Sequence, residues 1–221
     1  MKYIHHHLGL GDHIICNGLV RHYKEIYGEV TVFCDDKNFK NVLYMYRDDD
    51  NINVLPIKEN GGIPKYISKN KLESDVITVG FDLLKWGVGT FDEGFYDSVN
   101  VPFNFRFTKF FFSRDSKKEE EVYNLKNPNN DRYIFFHGKI DKKKVRNDLM
   151  IIENPDEYGI FDILKLIENA EEVHLMESSI KNLVNSINMD KPTFFYHKYV
   201  RKGYESPFYN AKGLNNFEIK I

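Results

Sequence analysis

A chain of 221 residues, 42% hydrophobic and 15% aromatic, has the length of one ordinary domain or two small ones and enough apolar material for a core. Its 31 basic and 33 acidic residues leave a formal charge of −2, which argues against a partner bound through nucleic-acid phosphates. No apolar run approaches the roughly 18 residues that span a bilayer, and histidines and glycines stand where a signal peptide needs an apolar core.

In chain order, "MKYIHHHL" reads as a short buried strand. "DHIICNGLVRHYKEIYG" follows as a helix, with Ile14, Ile15, Leu19, Tyr23 and Ile26 at helical spacing and Gly28 closing it. "EVTVFCD" is a second strand, "KNFKNVLYMYR" a second helix, "INVLPI" a third strand and "DVITVGF" a fourth, the last two separated by a polar turn around Gly61 and Gly62. Strands alternating with helices predict a parallel sheet. The aromatic stretch 91–115 predicts a packed helix and then a bend at Pro102; the charged stretch "SKKEEEVYNLKNPNNDR" reads as helical in its first half and loop-like in its second, and 113–131 is expected to link two halves.

The alternation then restarts. "YIFFHG" and "DLMIIEN" read as strands, "GIFDILKLIENA" as a helix, "EVHLME" as a strand, "SSIKNLVNSIN" as a helix and "KPTFFYH" as a strand. The fold expected is α/β, in two small parallel-sheet halves: 1–112, then the linker 113–131, then 132–221. Cys16 and Cys34 lie in apolar surroundings without CxxC spacing and read as buried thiols. No Asn-X-Ser/Thr acceptor occurs, which agrees with a cytoplasmic location.

Three stretches carry candidate chemistry. In "HHHLGLGDHI", Gly9 and Gly11 fall where a strand turns into a helix, so backbone amides can approach a ligand. Neither the third glycine of the dinucleotide fingerprint nor the Lys-Ser/Thr of a P-loop follows. Asp12 opens that helix, either as a cap or as a catalytic carboxylate. Neighbouring histidines on a strand point to opposite faces, so His5, His6 and His7 do not ligate one metal together. In "HLMESSIKNL" the strand ends and Glu177, Ser178 and Ser179 lead into a helix, which suits either a diphosphate or a plain serine cap. In "FFHGKIDKKKVRND" His137 is followed by a loop carrying Lys139, Lys142, Lys143, Lys144 and Arg146, a phosphate clamp or a solvated loop. The run Asp48, Asp49, Asp50 reads as a solvated turn rather than a metal-binding aspartate pair.

The "HHLGLGDHI" stretch resembles the Gly-x-Gly-Asp loop of heptosyltransferase-like GT-B glycosyltransferases. The stretches "FDEGFYDSVNVPFNFRF" and "FDILKLIENAEEVHLMESSIKNLV" resemble small glycosyltransferase-like proteins of bacteria and viruses. The resemblance implies two Rossmann-like halves facing a cleft, acceptor on the first and nucleotide-diphosphate sugar on the second, with no essential metal or other cofactor. It implies Asp12 as general base with His7 beside it, and Gly9, Gly11 and His13 in the acceptor-side loop. It also implies a donor site made of His137, Lys139, Arg146, Glu177, Ser178 and Ser179. The partners expected are a nucleotide-diphosphate sugar and a glycan acceptor, in the cytoplasm of a bacterium or, if the chain is viral, of its host.

Overall fold

The computed structural model describes residues 1–58, 62–81, 89–204, 206–209 and 213–220. Gly61 and the side chain of Lys144, both named above, lie outside the described set. Two compact units divide at Ser113/Arg114, and the segment Pro207–Tyr209 belongs with the first.

The first unit runs β1 (Lys2–His5), α1 (Leu10–Ile15), α2 (Asn17–Tyr27), β2 (Val30–Asp35), α3 (Phe39–Tyr46), β3 (Ile52–Ile57), α4 (Gly62–Asn70), β4 (Val76–Thr78), α5 (Phe91–Asp97) and α6 (Phe105–Thr108). The four strands form one parallel sheet in the order β3-β2-β1-β4. β2, "VTVFCD", is buried from Val30 to Cys34, as the β-branched run of an inner strand covered on both faces should be. On one face Leu8, Phe33 and α4's Ile63 make a core cluster joined by Tyr3, Leu55, Ile57, Tyr66, Ile67 and Val76. Both cysteines are buried free thiols.

Local differences from the pattern have physical causes. The helix expected over 12–28 is two helices, because Cys16 leaves helical geometry at φ −83, ψ 0 between α1 and α2. α4 replaces part of the expected turn; Pro64 sits in its first turn, where its missing N–H costs nothing. The aspartate run is a turn, as expected, with Asp48 and Asp50 exposed, and it is held by ion pairs. Asp48 receives a two-pronged bond from Arg21 at 2.8 and 3.0 Å, and Asp49 pairs with Lys24 at 2.8 Å, tying the end of α3 to α2. Asp92 on α5 and Arg106 on α6 form an ion pair with both side chains fully buried.

The second unit runs α7 (Ser116–Lys126), β5 (Tyr133–His137), β6 (Met150–Glu153), α8 (Leu164–Asn169), β7 (Glu172–Leu175), α9 (Ser179–Asn185), β8 (Thr193–His197) and β9 (Phe217–Lys220). All five strands are parallel, in the order β6-β5-β7-β8-β9. The helical first half expected in the charged stretch is α7, capped by Asp115, whose carboxylate accepts from the Lys118 amide at 3.0 Å. Arg114 holds Glu168 of α8 at 2.5 Å and also pairs with Glu119, which fastens α7 to the unit. Ile134, Phe136 and Ile140 form a cluster under the loop that carries Val145 and Leu149. β9 was not anticipated. Among the described residues no helix is long and apolar enough to cross a membrane.

Candidate functional site

In a parallel sheet wound in both directions, ligands bind beyond the carboxyl ends of the strands, at the point where the winding reverses. In the first unit the chain winds from β1 outward to β3 and returns to β4 on the other side of β1. The reversal therefore falls between β1 and β4. Their outgoing segments carry His5, His6 and His7 on one side and Gly80 and Phe81 on the other.

A pocket of about 520 Å³ opens there, lined among the described residues by His5, His7, Leu8, Gly9, Pro64 and Phe81. Alternation along the chain separates the histidines. The His5 and His7 rings lie 4.6 and 4.8 Å from the Phe81 ring, whereas His6 packs edge-on against His13 at 4.4 Å on the interior side. Burial lowers the pKa of both pocket histidines; a backbone hydrogen bond to Gly80 partly opposes this at His7.

Asp12 lies in the first turn of α1, with Gly9 as the N-cap residue whose carbonyl accepts from the amides of Asp12 and His13 at 3.0 and 3.1 Å. It is therefore inside the helix rather than its cap. Its carboxylate folds back over Gly9: a Cβ on Gly9 would stand 2.6 Å from Asp12 Oδ2. The bare Cα of Gly9 thus lets the carboxylate reach the rim of the pocket that Gly9 lines. Gly11 occupies the same turn. His13 is a correction to the acceptor-side set, since it is fully buried and faces His6. Burial drives its pKa well down, and that of His6 to about 4.

The second sheet has the same logic. The chain winds from β5 to β6 and returns to β7, so the reversal lies between β5 and β7. His137 ends β5, and Gly138 follows with φ +106, where a Cβ would strike the side chain of Met176 at 2.5 Å. That close approach brings the loop after β5 against the one after β7. Burial also lowers the His137 pKa. Ser178 behaves as an N-cap: its hydroxyl accepts from the Lys181 amide at 3.3 Å and donates to the Met176 carbonyl at 3.2 Å. Ser179 opens α9 beside it. One carboxylate oxygen of Glu177 is held by Lys181 Nζ at 2.7 Å and by the Tyr196 hydroxyl at 2.9 Å. The Lys181 ammonium, almost fully buried, also lies 4.2 Å over the Tyr196 ring. Sequence reasoning missed this lysine, which stands in the first turn of α9 four positions after Glu177.

Arg146 is the main correction on this side. Its guanidinium binds Asp148 at 2.6 and 2.5 Å and Glu172 at 3.3 Å. Glu172 opens β7 and Asp148 precedes β6, so this cluster sits at the amino edge of the sheet, the opposite end from Ser178. Lys139 is exposed, just past Gly138. The basic group brought to the carboxyl edge is Arg201, whose Nη1 donates to the Glu177 carbonyl at 3.3 Å while its guanidinium stacks 4.0 Å over Tyr204. Among the described residues no three His, Cys, Asp or Glu side chains converge to hold a metal ion.

No protein-family model matches the chain, and no curated protein matches it in sequence. Solved structures do match in fold. One is a glycosyl transferase family 9 protein from Veillonella parvula DSM 2008, at TM-score 0.65 and 7% identity over 99% of this chain and 85% of that one. Another is the ADP-heptose LPS heptosyltransferase II of E. coli, at TM-score 0.59 and 10% identity over 100% of this chain and 90% of that one. The two parallel sheets with their helices share the GT-B-like fold of these two structures.

Proposed function

We propose that the protein is a glycosyltransferase that moves a sugar from a nucleotide-diphosphate sugar to a hydroxyl of a glycan acceptor, with inversion and without an essential metal. The observation that carries this reading is the coincidence of both winding reversals with the polar loops that the resemblance singles out. In the first unit Asp12 stands at the rim of the β1/β4 pocket. In the second, His137 ends β5, and Ser178 and Ser179 follow β7.

Asp12 takes the proton of the acceptor hydroxyl as its oxygen forms a bond to the anomeric carbon. The bond from that carbon to the diphosphate oxygen breaks on the opposite face, and the nucleotide diphosphate leaves with the electron pair. Negative charge then grows on the leaving group, where cationic and N–H donors lower the barrier. His137, Lys139 and the backbone at Ser178 and Ser179 supply them, and Arg201 takes the role first assigned to Arg146. In the Asp48, Asp49, Asp50 run, Asp48 is engaged by Arg21 and Asp49 by Lys24, which supports metal independence.

Thermal-shift measurements with UDP-, GDP-, ADP- and dTDP-sugars, with a CMP-sugar as the monophosphate control, test the reading. One nucleotide sugar should raise the melting temperature, because a ligand selective for the folded state stabilises it by about 2.7 kcal/mol at 100 times its Kd. Product formation with that donor then separates an enzyme from a non-catalytic sugar-nucleotide-binding protein. If none of the four diphosphate classes stabilises the chain, the reading fails.

A further inference from the structure

The β1/β4 pocket has a composition that selects among acceptors. Its wall is a run of rings: His5, Phe81 and His7 in succession, with Phe95 and Phe91 behind His7 at 5.2 and 5.9 Å. Leu8 and Pro64 extend the apolar surface, and Gly9 leaves bare backbone at the rim. Phe81 keeps 41% of its surface exposed, so its ring is open to a partner. The face of an aromatic ring is electronegative and attracts the polarised C–H groups on one side of a sugar ring, which a phosphate or carboxylate cannot offer.

The polar groups point the same way. A neutral imidazole carries one N–H and one lone pair, so His5 and His7, which both line the pocket, can each meet a sugar hydroxyl as donor or acceptor. A lone pair accepts a proton from a hydroxyl and repels the oxygens of an anion. Burial favours the neutral form of both pocket histidines. No lysine or arginine is among the described residues lining the pocket. Its volume of about 520 Å³ falls within the range of roughly 300–1,000 Å³ usual for small-molecule sites.

We propose that this pocket binds an uncharged sugar ring of the acceptor, stacked on Phe81 and hydrogen-bonded to His5 and His7, with a hydroxyl directed past Gly9 to Asp12. The assignment of this sugar as acceptor rests on the glycosyltransferase reading; its binding does not.

Saturation-transfer NMR on the full chain, without any donor, tests binding directly. The probes are the methyl glycosides of glucose, galactose, mannose and N-acetylglucosamine, set against glucose 6-phosphate and glucuronic acid. At least one neutral glycoside should bind, with the strongest transfer to the protons of one ring face, and more tightly than either anion. Phe81→Ala should weaken it by about five- to tenfold, the value of one aromatic stacking contact. Phe81→Leu, which keeps apolar bulk and guards against misfolding, should weaken it as well. Tighter binding of the anions, no binding by any neutral glycoside, or unchanged affinity in Phe81→Leu overturns the proposal. Neutral-sugar binding in a protein that no nucleotide sugar stabilises would leave the pocket assignment standing and sink the enzymatic one.

Discussion

His174 and His197, on the adjacent strands β7 and β8, share a hydrogen bond of 2.8 Å between Nδ1 of the first and Nε2 of the second. The bond is the middle of a chain that crosses the sheet. Tyr199 Oη lies 3.1 Å from His197 Nδ1, and His174 Nε2 lies 3.1 Å from Glu172. One arrangement satisfies every member with both imidazoles neutral: Tyr199 donates to His197, His197 to His174, and His174 to the carboxylate. The Asp141 amide donates to Tyr199 at 3.4 Å, so the chain reaches the loop after β5. His197→Phe deprives the buried Nδ1 of its donor and should cost about 1–3 kcal/mol in urea denaturation. The double replacement of His174 and His197 by Phe should cost clearly less than the sum of the singles, since the two act as a unit. Additive losses would show that the rings are independent.

Asp12→Asn separates position from proton affinity. The amide fits the same space over Gly9, and the favourable placement of an acid in a first helical turn is worth only about 0.3–1 kcal/mol. The variant should therefore melt near the parent and bind donor normally. Turnover should fall by roughly 10²–10⁴-fold, the usual contribution of a general base. Near-parental turnover would move the base to His5 or His7, which line the pocket, because His6 and His13 are fully buried.

Arg146 and Arg201 make opposite predictions for nucleotide affinity. Arg201→Ala should weaken nucleotide-diphosphate binding by the 1.5–3 kcal/mol typical of about one hydrogen bond to a charged group. Arg146→Ala should leave it unchanged, its partners being Asp148 and Glu172. Isothermal titration of both variants checks the pair; equal losses would contradict the edge assignment.

How far the sequence led depended on whether a signal was local. The eight strands read from β-branched and aromatic runs are present, and the Gly9-Asp12 turn and the Ser178 start fall where a strand gives way to a helix. β9 escaped because "FEIK" has only one β-branched residue and needs β8 beside it to become a strand. Arg146 was misplaced for a topological reason. β5 and β6 are parallel, so the loop between them must return along the sheet and end at its amino edge. Nearness to "FFHG" in sequence therefore became distance in space. The Asp92–Arg106 pair, fourteen positions apart, is a long-range fact with no local pattern to announce it.

That pair gives a stability test. Asp92 and Arg106 are both fully buried, and the guanidinium lies 5.3 and 5.9 Å from the rings of Phe107 and Phe103. Removing one partner strands the other charge in the interior, so Arg106→Met should cost about 3–5 kcal/mol. Adding Asp92→Leu removes the stranded charge and should restore much of the loss, since apolar replacement of a buried pair is often near neutral. A double variant no more stable than Arg106→Met alone would mean that the pair does more than balance charge.

The final prediction concerns acid. His6 is fully buried; its Nδ1 lies 2.5 Å from the His7 carbonyl, and the His13 ring packs against it. Burial lowers its folded pKa to about 4, and lowers those of His5, His7, His13 and His174 as well. An unfolded chain protonates these rings near pH 6.5. Between that value and the lowered ones the unfolded state binds more protons than the folded state, so stability rises with pH. It is complete above about pH 6.5 and is lost as pH falls toward about 4, with His6 alone contributing on the order of 3 kcal/mol across the window. Urea denaturation at half-unit steps from pH 7.5 to 4.5, a range above most of the carboxylate titrations, should show a steady fall below 6.5. His6→Asn should flatten that slope even where it lowers stability at neutral pH. A parent whose stability does not change over this range would mean that the buried histidines take up protons in the folded state as readily as in the unfolded chain.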